Sequence, residues 1–257
     1  MATGSRRTIK QLIYGASYLI ILTLIIYGAY SWVILSRPAS CFDDRQNQAE
    51  VGVDCGGPCV PCGLENVVVL ATTTPQLLSV DGNTTGAMVE VRNLNTDFGA
   101  EIFDYDLNFY NAGGEELSSI SGISFIYPSE VKLIVEPIVN LPIGQIVKSE
   151  VVISNITWAT AADFIKPALQ TRDIQTKASS GGAVVSGLAI NNNSYPIPEI
   201  RVAAVVADAL GNNLGVSKTL LRDVVPGEQR FFSIDIPLGS VSDLDPGATS
   251  IYIEAKR

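Results

Sequence analysis

The residues of this 257-residue chain best suited to chemistry lie together. All four cysteines, Cys41, Cys55, Cys59 and Cys62, fall between positions 41 and 62, and Asp43, Asp44, Asn47, Glu50 and Asp54 crowd the gap between the first two. Four cysteines in a short, loop-rich segment form a disulfide framework in an oxidising compartment. Three pairings are open, and Cys59 and Cys62 are close enough in sequence that both are expected to pair outward, with Cys41 and Cys55. The same residues could instead offer four thiolates to zinc, for which the first spacing is long, or a redox-active Cys59-x-x-Cys62, for which a βαβ setting is missing. So short a segment cannot build an apolar core. Cross-links would have to supply its order, each contributing roughly 2 to 4 kcal/mol. The oxygen ligands read in two ways. They suit a calcium loop, because calcium takes about six to eight oxygens from flexible loops, and they equally suit a solvated acidic loop. Their order does not fit an EF-hand.

Histidine is absent altogether. That removes Ser-His-Asp and Cys-His nucleophiles, the commonest general base and the commonest zinc ligand. No motif for carboxylate-only or Ser-Lys chemistry stands in their place, so the chain reads as non-enzymatic, with no small-molecule substrate evident. The net charge of -9 repels phosphate backbones, and nucleic acid is not an expected partner.

What would position the cysteine segment is the stretch before it. From Leu12 to Leu35 no charged residue interrupts an apolar run. As a helix it reaches roughly 36 Å, enough to cross a hydrocarbon core of roughly 30 Å. Tyr27, Tyr30 and Trp32 suit the headgroup layer at its far end. Arg6, Arg7 and Lys10 precede the run, whereas Arg37 and Arg45 are the only basic residues after it until Arg92. The positive-inside rule then places the amino end in the cytoplasm and the rest outside it, held by an uncleaved signal anchor. The run is too long for a cleaved signal peptide, and Arg37 and Pro38 spoil the cleavage site. Pro38-Ala39-Ser40-Cys41 is a poor lipoprotein box, and Ser5-Arg6-Arg7 reads as topology-setting charge rather than a twin-arginine signal.

Beyond Asn66 the pattern becomes short period-two runs between turns, in a background rich in Val, Ile, Gly, Asn and Pro. In Phe103 to Phe109, Phe103, Tyr105, Leu107 and Phe109 fall on one face and Asp104, Asp106 and Asn108 on the other. The paired aspartates invite a catalytic reading, but alternation makes them the wet face of a half-buried antiparallel strand. The plan recurs about 97 residues on. Ala112 to Leu117 lines up with Ala209 to Leu214, Tyr127-Pro128-Ser129-Glu130 with Val225-Pro226-Gly227-Glu228, and Asn93 and Asn95 with Asn191 to Asn193. Two tandem immunoglobulin-like sandwiches of about 90 residues are the economical explanation. The copies differ where Asp104, Asp106 and Asn108 give way to Arg201, Ala203 and Val205. That leaves Val202 to Ala207 apolar on both faces, covered either by a neighbouring strand connection, the favoured reading, or by another domain or chain.

Two resemblances bear on this organisation. Gln46 to Cys59, with Gln46-Asn47-Gln48, Gly52-Val53-Asp54-Cys55-Gly56-Gly57-Pro58-Cys59 and closing Cys62, resembles a short cysteine module of bacterial secreted and surface-anchored proteins. That resemblance implies an extracytoplasmic, disulfide-tied and calcium-loaded spacer without activity. Val185 to Asn192, Val205-Val206-Ala207-Asp208, Gly211-Asn212 and Pro226-Gly227-Glu228 are similar to FxLYD-type domains and, more loosely, to late-embryogenesis-abundant β-sandwiches, which imply fold and surface location without a ligand pocket.

The expected architecture is all-β after an anchor: a disordered cytoplasmic tail over 1–10, a transmembrane helix over 11–36, a cysteine-rich stalk over 37–63, a first sandwich over 64–158, a linker over 159–167 and a second sandwich over 168–257. Trp158 and Phe164 are expected at the sandwich junction. The expected role is a structural, adhesive or assembly component of a cell envelope with protein partners. A subunit of a pilus or secretion assembly is the alternative, and a thiol oxidoreductase using Cys59 and Cys62 the third reading.

Overall fold

The computed structural model describes residues 3–35, 40–47 and 49–256, and the chain divides into two compact units, Met1–Cys62 and Gly63–Arg257. Arg37, Pro38, Ala39 and Gln48, which enter the flank-charge, lipoprotein-box and cysteine-module readings, lie outside the described residues.

In the first unit, helix α1 spans Thr3–Leu35. It therefore begins well inside the stretch expected to be a disordered tail. Once a long helix has nucleated, each added residue costs little, and no proline stands in the way. Its portion Lys10–Val33 is long and apolar enough to cross a membrane and is nowhere buried. Tyr27, Tyr30 and Trp32 are all exposed, and Thr23 donates its hydroxyl to the Leu19 carbonyl, so the polar side chain satisfies itself on its own helix.

Among its described residues the second unit holds thirteen strands, all paired antiparallel. In the first sandwich, β1 (Ala71–Thr72), β2 (Gln76–Ser79), β3 (Thr85–Arg92) and β6 (Val131–Val139) form one sheet. Strands β5 (Glu116–Ile126), β4 (Phe98–Tyr110) and β7 (Lys148–Thr160) form the sheet opposite. Val89, Val91 and Ile134 from the one meet Phe103, Leu107, Phe109 and Ile126 from the other. In the second sandwich, β12 (Gln229–Pro237), β9 (Gly182–Asn191) and β8 (Leu169–Ser179) face β11 (Asn213–Val224), β10 (Ile197–Asp208) and β13 (Leu244–Ala255). Val185, Phe232, Ile234 and Ile236 there meet Ile200, Val202, Ala204 and Val206. Alternation at 103–109 comes out as expected, with the aromatic and leucine side chains buried and Asp104, Asp106 and Asn108 half-exposed. Strand β7 continues to Thr160, and Trp158 packs on the first core rather than at the junction.

The same hydrogen bonds tie the same corner of each sandwich. Buried Asn93 donates its amide to the Phe98 and Tyr127 carbonyls, at 2.7 and 3.0 Å, and accepts from the Asn95 N–H. Buried Asn191 does the same for the Tyr195 and Val224 carbonyls, at 3.0 and 2.9 Å, and the Asn193 N–H. Glu130 and Glu228 each accept a backbone N–H three residues upstream, from Tyr127 and Val225. The turn between needs a left-handed residue. Gly227 takes it at φ 74°, and in the first sandwich Ser129 takes it at φ 55°, a conformation that costs a side chain roughly 1 kcal/mol.

The outer face of β10 settles how Val202 to Ala207 can be apolar throughout. Val202, Ala204 and Val206 enter the second core, while Ala203 and Val205, with Val216 of β11, pack on Leu78, Met88, Leu133 and Val135 of the first sandwich. The cover is the other sandwich, not a strand connection, because the outer face of the β2-β3-β6 sheet is apolar as well.

Candidate functional site: the cysteine loop and the inter-sandwich groove

The cysteine loop is built by two disulfides, Cys41–Cys59 and Cys55–Cys62, so both later cysteines pair outward. Between them the chain doubles back tightly. Gly57 has φ 59°, and a Cβ there would sit 2.4 Å from the Ala49 carbonyl oxygen; one on Gly56 would meet Val51 at 2.6 Å. The Gly56-Gly57-Pro58 run is thus what lets Cys55 and Cys59 reach different partners. With every cysteine sulfur in an S–S bond, no thiolate is left to ligate zinc or to run dithiol exchange.

The acidic residues act on the backbone. Asp54 accepts the Asp43 and Asp44 N–H groups at 2.9 and 2.8 Å. Glu50, buried, accepts those of Asn47 and Asp54 at 3.1 and 3.3 Å. Asp43 accepts from the Arg45 N–H and from the Asn47 amide. Asp44 is exposed, in a left-handed turn at φ 57°. Among the described residues the cluster of potential metal ligands is Cys41, Glu50 and Cys59, and two of its three atoms are disulfide sulfurs. The carboxylates of Asp43, Asp44 and Asp54 are not drawn with Glu50 to one point. In this arrangement Asp43, Glu50 and Asp54 cap the loop's own turns, while Asn47 Oδ1 is buried without a hydrogen-bond partner.

The larger concavity lies between the sandwiches, a groove of about 690 Å³ walled by β5 and β6 on one side and by β10, β11 and β13 on the other. Its charges meet in pairs: Lys132 with Glu254 at 2.6 Å, Lys218 with Glu136 at 3.1 Å, Lys166 with Glu130 at 2.5 Å, and Arg201 with Glu199 at 3.0 Å. The first two join one sandwich to the other. Lys132 is the unusual member. Its side chain is 3% exposed and its ammonium lies 3.6 Å from the centre of the Phe125 ring. Burial pulls its pKa below the ordinary lysine value, and the Glu254 carboxylate opposes that pull. Beside it, Tyr105 donates to Glu136 at 2.9 Å, and Tyr127 donates to the Ala255 carbonyl at 2.9 Å while stacking on Phe164. Burial, first, and the neighbouring glutamates hold both phenols above their usual range. Phe164, unlike Trp158, reaches this seam as expected, with Lys256 over its ring.

Sequence reasoning missed Lys132 and Glu254 as partners. The signal present was a single lysine inside the apolar strand Val131-Lys132-Leu133-Ile134-Val135, but a lysine there can equally extend its ammonium into water. The paired charges of the groove neutralise one another, and two of the pairs bridge the sandwiches.

No family model matches the chain, and no curated protein matches it either. Among solved structures the chain is similar to red sea bream transglutaminase at 11% identity and a TM-score of 0.24, over 77% of this chain and 34% of that one. The chain thus spans about a third of that structure's length. A likeness that slight carries no inference about activity.

Proposed function

We propose that the chain is a single-pass membrane protein, amino end in the cytoplasm and sandwiches outside, serving as a non-enzymatic structural, adhesive or assembly component of a cell envelope. The observation that carries this reading is a 24-residue apolar helix stretch with no burial, followed in sequence by a segment whose order rests on two disulfides. An uncovered apolar rod needs lipid, and disulfides persist where the compartment is oxidising. Two sandwiches joined through a buried seam suit binding at loops, edges and grooves, and the paired charges of the groove suit it better than catalysis.

Protease and a membrane-impermeant maleimide on intact cells test this. The expected result is loss of the sandwiches to protease, with maleimide labelling of the four cysteines only after reduction. Sandwiches left intact under conditions that digest an external control protein would overturn it. The size of the detergent-extracted species then separates a lone anchored protein from a subunit of a larger assembly.

A further inference from the structure

The groove contains an open strand edge. In the β3–β6 ladder, paired residue numbers from Ala87–Glu136 to Arg92–Val131 sum to 223, and the Asn93 N–H donates to the Glu130 carbonyl. Bonded pairs alternate in an antiparallel ladder, so the bonded partners continue as Val91 with Lys132, Val89 with Ile134 and Ala87 with Glu136. The backbone N–H and C=O groups of Val131, Leu133 and Val135 therefore point away from β3, out of the sheet. Two observations agree. The Glu90 carbonyl, opposite Leu133, accepts instead from the Thr73 N–H on the other side of β3. The outward Val135 carbonyl is taken by the Lys218 ammonium of the second sandwich.

Exposed edges are ordinarily blunted by charge, proline or a covering element. On β6 the blunting stops short. Lys218 closes the Val135 end, and the Lys166–Glu130 pair marks the other. Between them the peptide groups of Val131 and Leu133 line the groove with no further backbone partner among the described residues. The wall opposite, with Ala203, Leu220 and Tyr252, is apolar enough to take side chains that alternate off a strand.

We infer that this groove is a strand-addition site, in which an extended segment of about four to six residues from a partner protein pairs antiparallel or parallel with β6. The occupant is set by the chemistry shown: unpaired peptide donors and acceptors at strand spacing call for another peptide backbone, and neutralised wall charges favour a segment with small apolar or hydroxyl side chains over a charged one. The inference deepens the assembly reading by naming how a partner would be held.

The test uses the full chain in detergent micelles and a displayed library of random heptapeptides. Val131→Pro removes one outward N–H at a residue that is 52% exposed, on an edge where proline is tolerated. Peptides enriched on the native protein are expected to bind Val131→Pro roughly tenfold more weakly, and to lose binding similarly when N-methylated at alternate amides. Leu220→Trp, which enlarges an outward-facing, 38% exposed side chain on the opposite wall, should weaken the same peptides and supplies the answer if Val131→Pro does not fold. Amide exchange at Val131 and Leu133 should slow on binding. Enrichment of no peptide, or equal binding by the N-methylated peptides, or unchanged exchange at those amides, would overturn the inference. The assay reads the groove alone, whereas sidedness in cells reads the membrane placement alone, so failure of one is distinguishable from failure of the other.

Discussion

On the outer face of β4, Asp104, Asp106 and Asn108 are half-exposed and hydrogen-bond Asn155, Ser121 and Ser119 of the flanking strands. At the corresponding places on β10 stand Arg201, Ala203 and Val205, and Val205 is buried against Leu78, Met88 and Val135 of the other sandwich. The two sandwiches share an inner plan down to the buried asparagine and the glutamate-capped turn. They differ in which outer face is dry. Inner residues decide that each folds as a sandwich; a few outer residues decide that the pair docks.

The largest effect should come from breaking the seam at its charge. Glu254→Ala leaves Lys132 with an uncompensated buried ammonium, which should destabilise the second unit by roughly 3 kcal/mol or more and lower its melting temperature by roughly 6 to 12 °C. The double variant Lys132→Met/Glu254→Leu should recover most of that loss in thermal melts of the full chain. A loss below about 1 kcal/mol for the single variant would mean the pair does not hold the seam.

Next in size is the inner plan. Asn191→Ala removes the amide donor from the Tyr195 and Val224 carbonyls, and Asn93→Ala removes it from those of Phe98 and Tyr127, the last of which keeps the Glu130 N–H; each should cost roughly 2 to 3 kcal/mol in denaturant titration. Equality of the two would sharpen the claim that the sandwiches share one corner. A large inequality would break it.

The outer-face difference can be tested by exchange. Val205→Asn should cost roughly 2 kcal/mol and loosen the sandwiches from each other, visible as faster amide exchange on β6 and β11. The reciprocal Asn108→Val should stay within roughly 0.5 kcal/mol. The smallest effect is at the turn: Ser129→Gly should stabilise by roughly 0.5 to 1 kcal/mol, and Gly227→Ser should destabilise by a similar amount. Matching signs at both sites would show that the turns are not equivalent.

Legibility in the sequence follows the range of the interaction. Alternation from Phe103 to Phe109 is written in adjacent residues and came out as read, as did the anchor-length apolar run and the disulfide framework. Its pairing was constrained only as far as outward partners, because choosing between Cys41 and Cys55 depends on the turn at Gly56 and Gly57. The helical start at Thr3 was missed because polar residues adjoining a long helix can be carried into it without any signal of their own. That Asp43, Glu50 and Asp54 accept backbone N–H groups within the loop was not legible, because composition says nothing of where oxygens point. The seam was legible only in Phe164 and in the doubly apolar stretch Val202 to Ala207, and the groove was not legible at all, since Lys132 and Glu254 come from different sandwiches and neither strand announces the other.

The pairing of Lys132 with Glu254 also has a consequence for synthesis. Strand β13 leaves the ribosome roughly 120 residues after β6, so at about 5 to 20 residues per second the first sandwich exists for on the order of ten seconds before its companion is complete. During that interval Leu78, Met88 and Val135 form a bare greasy patch beside an unzipped strand, and Lys132 has no counter-ion. The nascent chain is most prone to stick to its neighbours in that window, and the need for a holding chaperone should fall away once β13 closes.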